Sequence, residues 1–263
     1  QETTDGGFIL SGATSSYWAT DSLSRINDIQ HGITNAIIAK VDTVGEPEWI
    51  KVFGGDMFES AFNAGETDDG GYFFAGYTNS IGNGLYDFWL VKLDAFGNME
   101  WEKTYGTAKA DVGLFGDITS DGGYILTGYT ILPNKTDKDF WLLKTNADGD
   151  SLWSSTFGND ANQSANRVIE LSNGGFVIIG ETRGDSTNND ILIIKTDENG
   201  QEIWTKNIVE SNDDLVFSIK ETPDGFIAVG TTTSLGAGNK DIWLHKLDAS
   251  GNVEWQNTFG GDA

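Results

Sequence analysis

A fixed period runs through this chain and restricts its fold more than any other feature. A tryptophan returns at Trp49, Trp101, Trp153, Trp204 and Trp255, in steps of 52, 52, 51 and 51 residues. A lysine keeps the same steps at Lys40, Lys92, Lys144, Lys195 and Lys246. A glycine turn before an aromatic residue recurs as Asp5-Gly6-Gly7-Phe8, Asp69-Gly70-Gly71-Tyr72, Asp121-Gly122-Gly123-Tyr124 and Asn173-Gly174-Gly175-Phe176, and in shortened form as Asp224-Gly225-Phe226. Three markers in one register define a structural repeat.

Each period reads as four short strands. A first run such as Leu215-Val216-Phe217-Ser218-Ile219 leads into the glycine turn, where glycine supplies the positive φ of a tight hairpin. Tyr124–Thr130 and Phe140–Lys144 typify the second and third strands, and the fourth carries the tryptophan, as in Glu100–Gly106. No segment sustains a helical period. Four antiparallel strands per roughly fifty residues are the plan of a propeller blade, whereas β-helix coils repeat at much shorter intervals. The expected fold is therefore all-β: a β-propeller of five four-stranded antiparallel blades about a pseudo-fivefold axis. It forms one domain over residues 1–263, with units near 1–56, 57–108, 109–160, 161–211 and 212–263. Residues 1–4 match only the tail of a first strand, so the first blade is expected to be incomplete, either in itself or because a longer parent chain continues the array.

The run Asp121–Thr130, followed by Asp139-Phe140-Trp141-Leu142-Leu143-Lys144, Asp148-Gly149 and Thr156-Phe157-Gly158, resembles bacterial secreted β-propeller repeats. The likeness is greatest to the delta-sixty type and looser to the Gly-Asn-aromatic type, and it covers essentially the whole chain. It implies the same fold, a secreted or cell-surface location and a place within a larger multidomain protein. It carries no catalytic motif. The tryptophan-rich fourth strands and a long loop in the first unit depart from the pattern.

Composition narrows the partners. With 34 Gly, 12% aromatic residues and only 3 Pro, the chain is built for tight turns and a filled core rather than disorder. A net charge of -24 repels phosphate backbones and anionic membrane surfaces. The absence of cysteine excludes disulfides, thiol catalysis and thiolate metal sites. No apolar run reaches the length of a membrane helix.

Several residues could carry chemistry. An acid precedes the third strand at Asp87, Asp139, Asp190 and Asp241, with Asn35 in unit one; a second follows the fourth strand at Asp56, Asp111, Asp160 and Asp213 or Asp214. Strand order places both sets on one face of the ring. They would serve as a ring of ligands for Ca²⁺ or sugar hydroxyls, or as acceptors for loop N–H groups. Repetition in every blade favours the second role. The recurring lysine is expected to pair with the turn acids Asp42, Asp94, Asp197 and Asp248. The fourth-strand tryptophans, like Trp89, Trp141 and Trp243 of the third strands, are expected to pack between blades; Leu192 and Ile38 are read as the third-strand counterparts in units four and one. His245, inside a strand, reads as structural.

One loop breaks the symmetry. The first glycine turn stands 64 residues before the second, so unit one carries twelve extra residues between its second and third strands. Tyr17, Trp18, Asp21, Arg25 and His31 of this insert form the candidate ligand-binding set, because loops on a rigid scaffold commonly carry recognition. The alternative is a loop that packs over the channel mouth or caps the short blade. The function expected is a non-catalytic extracellular binding, adhesion or scaffold module, monomeric within its larger chain, presenting one face to a protein or glycan. No cofactor is required, and Ca²⁺ is the candidate ion. A polysaccharide hydrolase or lyase and a structural spacer are the rival readings.

Overall fold

The second and third strands of each repeat are apolar on both faces, as in Tyr72-Phe73-Phe74-Ala75 and Phe88-Trp89-Leu90-Val91. Such strands need cover on both sides. The computed structural model provides that cover by standing five antiparallel sheets side by side as propeller blades. It describes residues 1–15, 34–183, 188–209 and 211–261, and no helix occurs among them.

The first blade holds β1 (Phe8–Thr14), β2 (Asn35–Val41) and β3 (Pro47–Phe53). The second holds β4 (Glu59–Glu66), β5 (Tyr72–Thr78), β6 (Asp87–Leu93) and β7 (Met99–Tyr105); the third β8 (Asp111–Ile118), β9 (Tyr124–Thr130), β10 (Asp139–Thr145) and β11 (Ser151–Phe157). The fourth holds β12 (Asn162–Glu170), β13 (Phe176–Arg183), β14 (Asp190–Thr196) and β15 (Glu202–Ile208), and the fifth β16 (Asp214–Thr222), β17 (Gly225–Thr232), β18 (Asp241–Asp248) and β19 (Val253–Phe259). Strands follow one another in sequence order across every sheet. The first strands β4, β8, β12 and β16 are consecutive neighbours along the inner edge.

The first blade is three-stranded. Only a stub of its first strand is present: the Gln1 ammonium donates to Ile9 O at 2.9 Å, and Ile9 N donates back to Gln1 O at 2.9 Å. Glycines elsewhere mark what is missing. A Cβ at Gly76, Gly128, Gly180 or Gly230 would run into a first-strand carbonyl, that of Ser60, Val112, Ser164 or Leu215, whereas one at Gly12 would meet only Ile37 Cγ2, at 3.7 Å. Trp89 lies opposite Gly76 and Ile37 opposite Gly12. Ile37 rather than Ile38 is therefore the counterpart of the third-strand tryptophans.

Four apolar clusters fill the four gaps between consecutive blades. Ile9, Ile38, Phe74, Trp89 and Val91 join blades one and two; Phe73, Phe88, Leu90, Tyr124 and Leu126 join two and three. Phe140, Leu142, Val168, Ile178 and Ile194 join three and four, and Val177, Ile193, Val216, Phe226 and Trp243 join four and five. Each fully buried large side chain contributes roughly 1.5–3 kcal/mol. Among the described strands, those of the fifth blade do not pack on those of the first as the strands of neighbouring blades do.

The fourth-strand tryptophans pack between blades, as their repetition implies, and a glycine receives each one. Trp49, Trp101, Trp153 and Trp204 lie edge-on to Tyr72, Tyr124, Phe176 and Phe226 of the following blade, with centroids 5.5–6.2 Å apart. Their rings also cover Gly97, Gly149, Gly200 and Gly251, where any Cβ would collide with the indole. Trp255, in the last described strand, stands 43% exposed.

Candidate functional site

The recurring lysine is buried where β2, β6, β10 or β18 ends, and its ammonium reaches back to the glycine turn. Lys40, Lys92, Lys144 and Lys246 each sit 2.9 Å from the aspartate of that turn, Asp5, Asp69, Asp121 or Asp224. Each also donates to the carbonyl of the next residue, at 2.9–3.1 Å. A threonine two residues earlier completes the group: Thr3, Thr67, Thr119 and Thr222 donate their hydroxyls to the same carboxylates at 2.6–3.0 Å. The Thr67 hydroxyl does most to hold Asp69 down at about 2; burial opposes it, while Lys92 and the Gly71 N–H add to it. This corrects the pairing expected from sequence. Asp42, Asp94, Asp197 and Asp248 instead accept two N–H groups of their own hairpin turns. The fourth unit shows what the turn acid does. Asn173 replaces it, and Lys195 is only half-buried, with its ammonium 5.9 Å from the Phe226 ring centroid.

A second set of polar side chains, most of them acids, gathers where first and third strands begin, at the blade junctions. Its members are Asn35 with Glu59, Asp87 with Asp111, and Asp139 with Gln163. Gly54, Gly106 and Gly158 lie between the members of each pair, since a Cβ on any of them would touch both side chains. Asp111, Asp190 and Asp214 occupy the positions expected. Asp56 and Asp160 do not: both are exposed, and the first-strand positions belong to Glu59 and Gln163, three residues on. Asp213 is also exposed, so Asp214 is the strand residue.

Most of these groups hold loops. Glu59 accepts from Gly55 N, Thr78 Oγ1, Asn79 N and Ser80 N at 2.9–3.3 Å. Asp87 Oδ2 accepts from Asn83 N at 2.9 Å and Gly84 N at 3.1 Å. Asp111 accepts from Thr107 N at 2.6 Å, from the Thr107 hydroxyl and from the Thr130 hydroxyl. Asp139 is balanced by Lys135 at 3.2 Å. Asp87 and Asp111 are 1% and 0% exposed; burial, opposed by the two loop N–H groups, pushes the Asp87 carboxyl up, and the nearby charge of Asp111 adds to it. Asp87 Oδ1, Asp214 Oδ1 and Asp241 Oδ1 are buried without a partner. Among the described residues, no three His, Asp or Glu side chains converge in a way that could hold a metal ion. Ca²⁺ takes about six to eight oxygens, so a pair such as Asp87 and Asp111 would supply only part of a shell.

His245 is buried on β18 against Trp243, with ring centroids 4.3 Å apart, and neither ring nitrogen has a partner. Burial lowers its pKa, with Asp214 opposing. It fills a core position in β18, one residue before the buried Lys246, as Val91 does before Lys92. The insert set Tyr17, Trp18, Asp21, Arg25 and His31 lies outside the described residues. Sequence reasoning missed the threonine of the turn network and the glycine under each tryptophan, although both recur at the repeat spacing.

No family model matches the chain, and no curated protein does. Among solved structures, that of a eukaryotic initiation factor is similar at a TM-score of 0.39 and 10% identity, over 86% of this chain and 61% of that one. At that distance the likeness says nothing about what this chain binds.

Proposed function

We propose that this chain is a non-catalytic binding or adhesion module of a secreted or cell-surface bacterial protein, with a protein or glycan as its partner. The observation that carries this reading is where the repeated ionisable side chains go. Lysines, turn aspartates and most of the strand-start acids spend their hydrogen-bonding capacity on turns and loops, which makes each blade a rigid support. A polysaccharide hydrolase or lyase would need a carboxyl pair that a sugar can reach, and the acid pair with a raised member, Asp87 with Asp111, is sealed from solvent. What varies between blades is the loops, and the first unit varies most.

Screening the protein against glycan and protein arrays, with and without Ca²⁺, tests the reading. The expected result is a specific ligand lost when Ser16 to Gly32 is replaced by a short glycine linker, with the thermal midpoint unchanged. A ligand retained after that deletion moves the site off the insert. Turnover of a polysaccharide that Asp87→Asn abolishes overturns the non-catalytic reading.

A further inference from the structure

Two positions on the rim where third strands begin do not follow the repeat. One is the second-strand residue paired with Phe88, Phe140, Ile191 or Ile242; the other is the residue just before the third strand. They read Tyr77 with Tyr86 in blade two, Tyr129 with Lys138 in blade three, Glu181 with Asn189 in blade four and Thr231 with Lys240 in blade five. Blades that pack alike but carry different pairs show that packing does not fix these positions, so the aromatic pair of blade two has another use.

Three rings meet in blade two. Phe62 stands at the bulge of β4 and is 47% exposed; bulges re-aim side chains. Its ring centroid lies 5.8 Å from that of Tyr77 at 46°, and Tyr77 lies 5.3 Å from Tyr86 at 89°. Both tyrosines are part-exposed. An edge-to-face contact covers one face of one ring, which leaves electron-rich ring faces open at this corner. Burial pushes the Tyr77 phenol up, and the neighbouring Tyr86 and the buried Glu59 carboxylate push it further, so the corner is also electronegative.

Blade three shows what such a corner takes. The Lys138 ammonium sits 4.0 Å from the centroid of the Tyr129 ring, well inside the range of a cation–π contact. In blade two the place of Lys138 is taken by Tyr86, so the ring remains and the lysine does not. Lys109, whose carbonyl accepts from Leu85 N beside this corner, sends its own ammonium to the Lys135 carbonyl. We propose that Phe62, Tyr77 and Tyr86 form a site for a lysine side chain supplied by a protein partner. The net charge of -24 draws a basic partner towards it. The inference rests on the binding-module reading and narrows it: the partner is a protein with an exposed lysine, and the contact lies off the insert.

Titration of tyrosine-labelled protein with the end-blocked peptide Gly-Lys-Gly, followed by NMR, tests the site, with Gly-Gln-Gly as the neutral control. The Tyr77 and Tyr86 ring signals are expected to move saturably with the lysine peptide and to stay still with the control. Phe62→Ala and Tyr77→Leu are each expected to weaken binding by roughly twofold to thirtyfold, the range of one cation–ring contact. Tyr86→Lys gives blade two the lysine of blade three and is expected to abolish the response of Tyr77. Ser151→Lys adds the same charge at an exposed position where β11 begins, on the opposite rim, and is expected to bind as the wild type does. Far-UV circular dichroism checks each fold; if Tyr77→Leu unfolds, Phe62→Ala, at an exposed position, carries the test. The inference is overturned if the two tyrosines do not respond, if the neutral peptide moves them equally, or if Ser151→Lys weakens binding as much as Tyr86→Lys does. Should the peptide fail while the arrays return a ligand, this inference falls and the binding-module reading stands; empty arrays with no peptide response bring both down.

Discussion

Lys92 and Lys195 form an experiment that the chain has already set up. Lys92 is buried between Asp69, Glu100 and the Leu93 carbonyl; Lys195 faces an asparagine turn and is half-buried. Lys92→Met should cost about 2 kcal/mol, the scale of charged hydrogen bonds lost from a buried site. Lys195→Met should cost about 0.5 kcal/mol or less. Urea midpoints of the two variants measure the difference. The partner of Lys92 was misread from sequence for a physical reason. Asp94 is two residues away in the chain, but its carboxylate accepts from Phe96 N, Asn98 N and Asn98 Nδ2 of its own turn. Asp69 is distant in the chain, and antiparallel pairing of Phe73 with Lys92 brings it back.

His245 adds a pH dependence of known sign. Its folded pKa lies below the ordinary histidine value because the ring is buried. Between the two values the unfolded chain holds a proton that the folded chain does not, so stability falls as pH drops through that window. His245→Val, which restores the residue type found at Val91, removes this contribution. The stability difference between variant and wild type should therefore grow in the variant's favour from pH 7 to pH 5, by at most about 1.4 kcal/mol per pH unit for one proton. Denaturant unfolding at both pH values reads it, and the subtraction cancels Asp87, whose raised pKa acts in both proteins.

At the scale of elements, the tryptophan and its receiving glycine are one device. Trp101→Ala leaves a cavity over Gly149 and beside Tyr124 and should cost about 3 kcal/mol. Gly149→Ala meets two penalties, a positive φ and the indole of Trp101 at 2.8 Å. Gly45→Ala meets only the first, at about 1–2 kcal/mol. Thermal midpoints at low protein concentration should therefore rank Gly149→Ala below Gly45→Ala, and equal midpoints would mean that the Gly45 face is covered. The strands themselves, their number and order, were legible because period and alternation are one-dimensional. The junctions were less so. Trp101 and Gly149 recur with matching steps, but only the packing of one blade on the next reveals that they touch. The same holds for the acids: Glu59 and Gln163 differ in charge, so a search for repeated carboxylates slid to Asp56 and Asp160 instead.

For the whole molecule, the junctions govern behaviour more than any single blade. Among the described strands, those of blades one and five pack on one other blade each, and those of blades two, three and four on two. A deletion of blade five, ending the chain at residue 209, should leave a folded four-blade protein whose new forward face exposes Trp204 and Ile191 in the way Trp255 and Ile242 are exposed now. Circular dichroism and a urea transition check this; collapse of the whole fold would show that the blades do not stand as separable units.

Such an array behaves as a one-dimensional lattice with nearest-neighbour coupling. In a lattice with free ends, opening begins at the ends and moves inward, since a terminal unit breaks one contact and an internal unit two. Amide hydrogen exchange of the isolated chain should then be graded by position: fastest in β1–β3 and β16–β19, intermediate in the second and fourth blades, slowest in β8–β11. Joining the ends would erase that gradient, and the exchange rates of the first and last blades would fall towards those of the middle one.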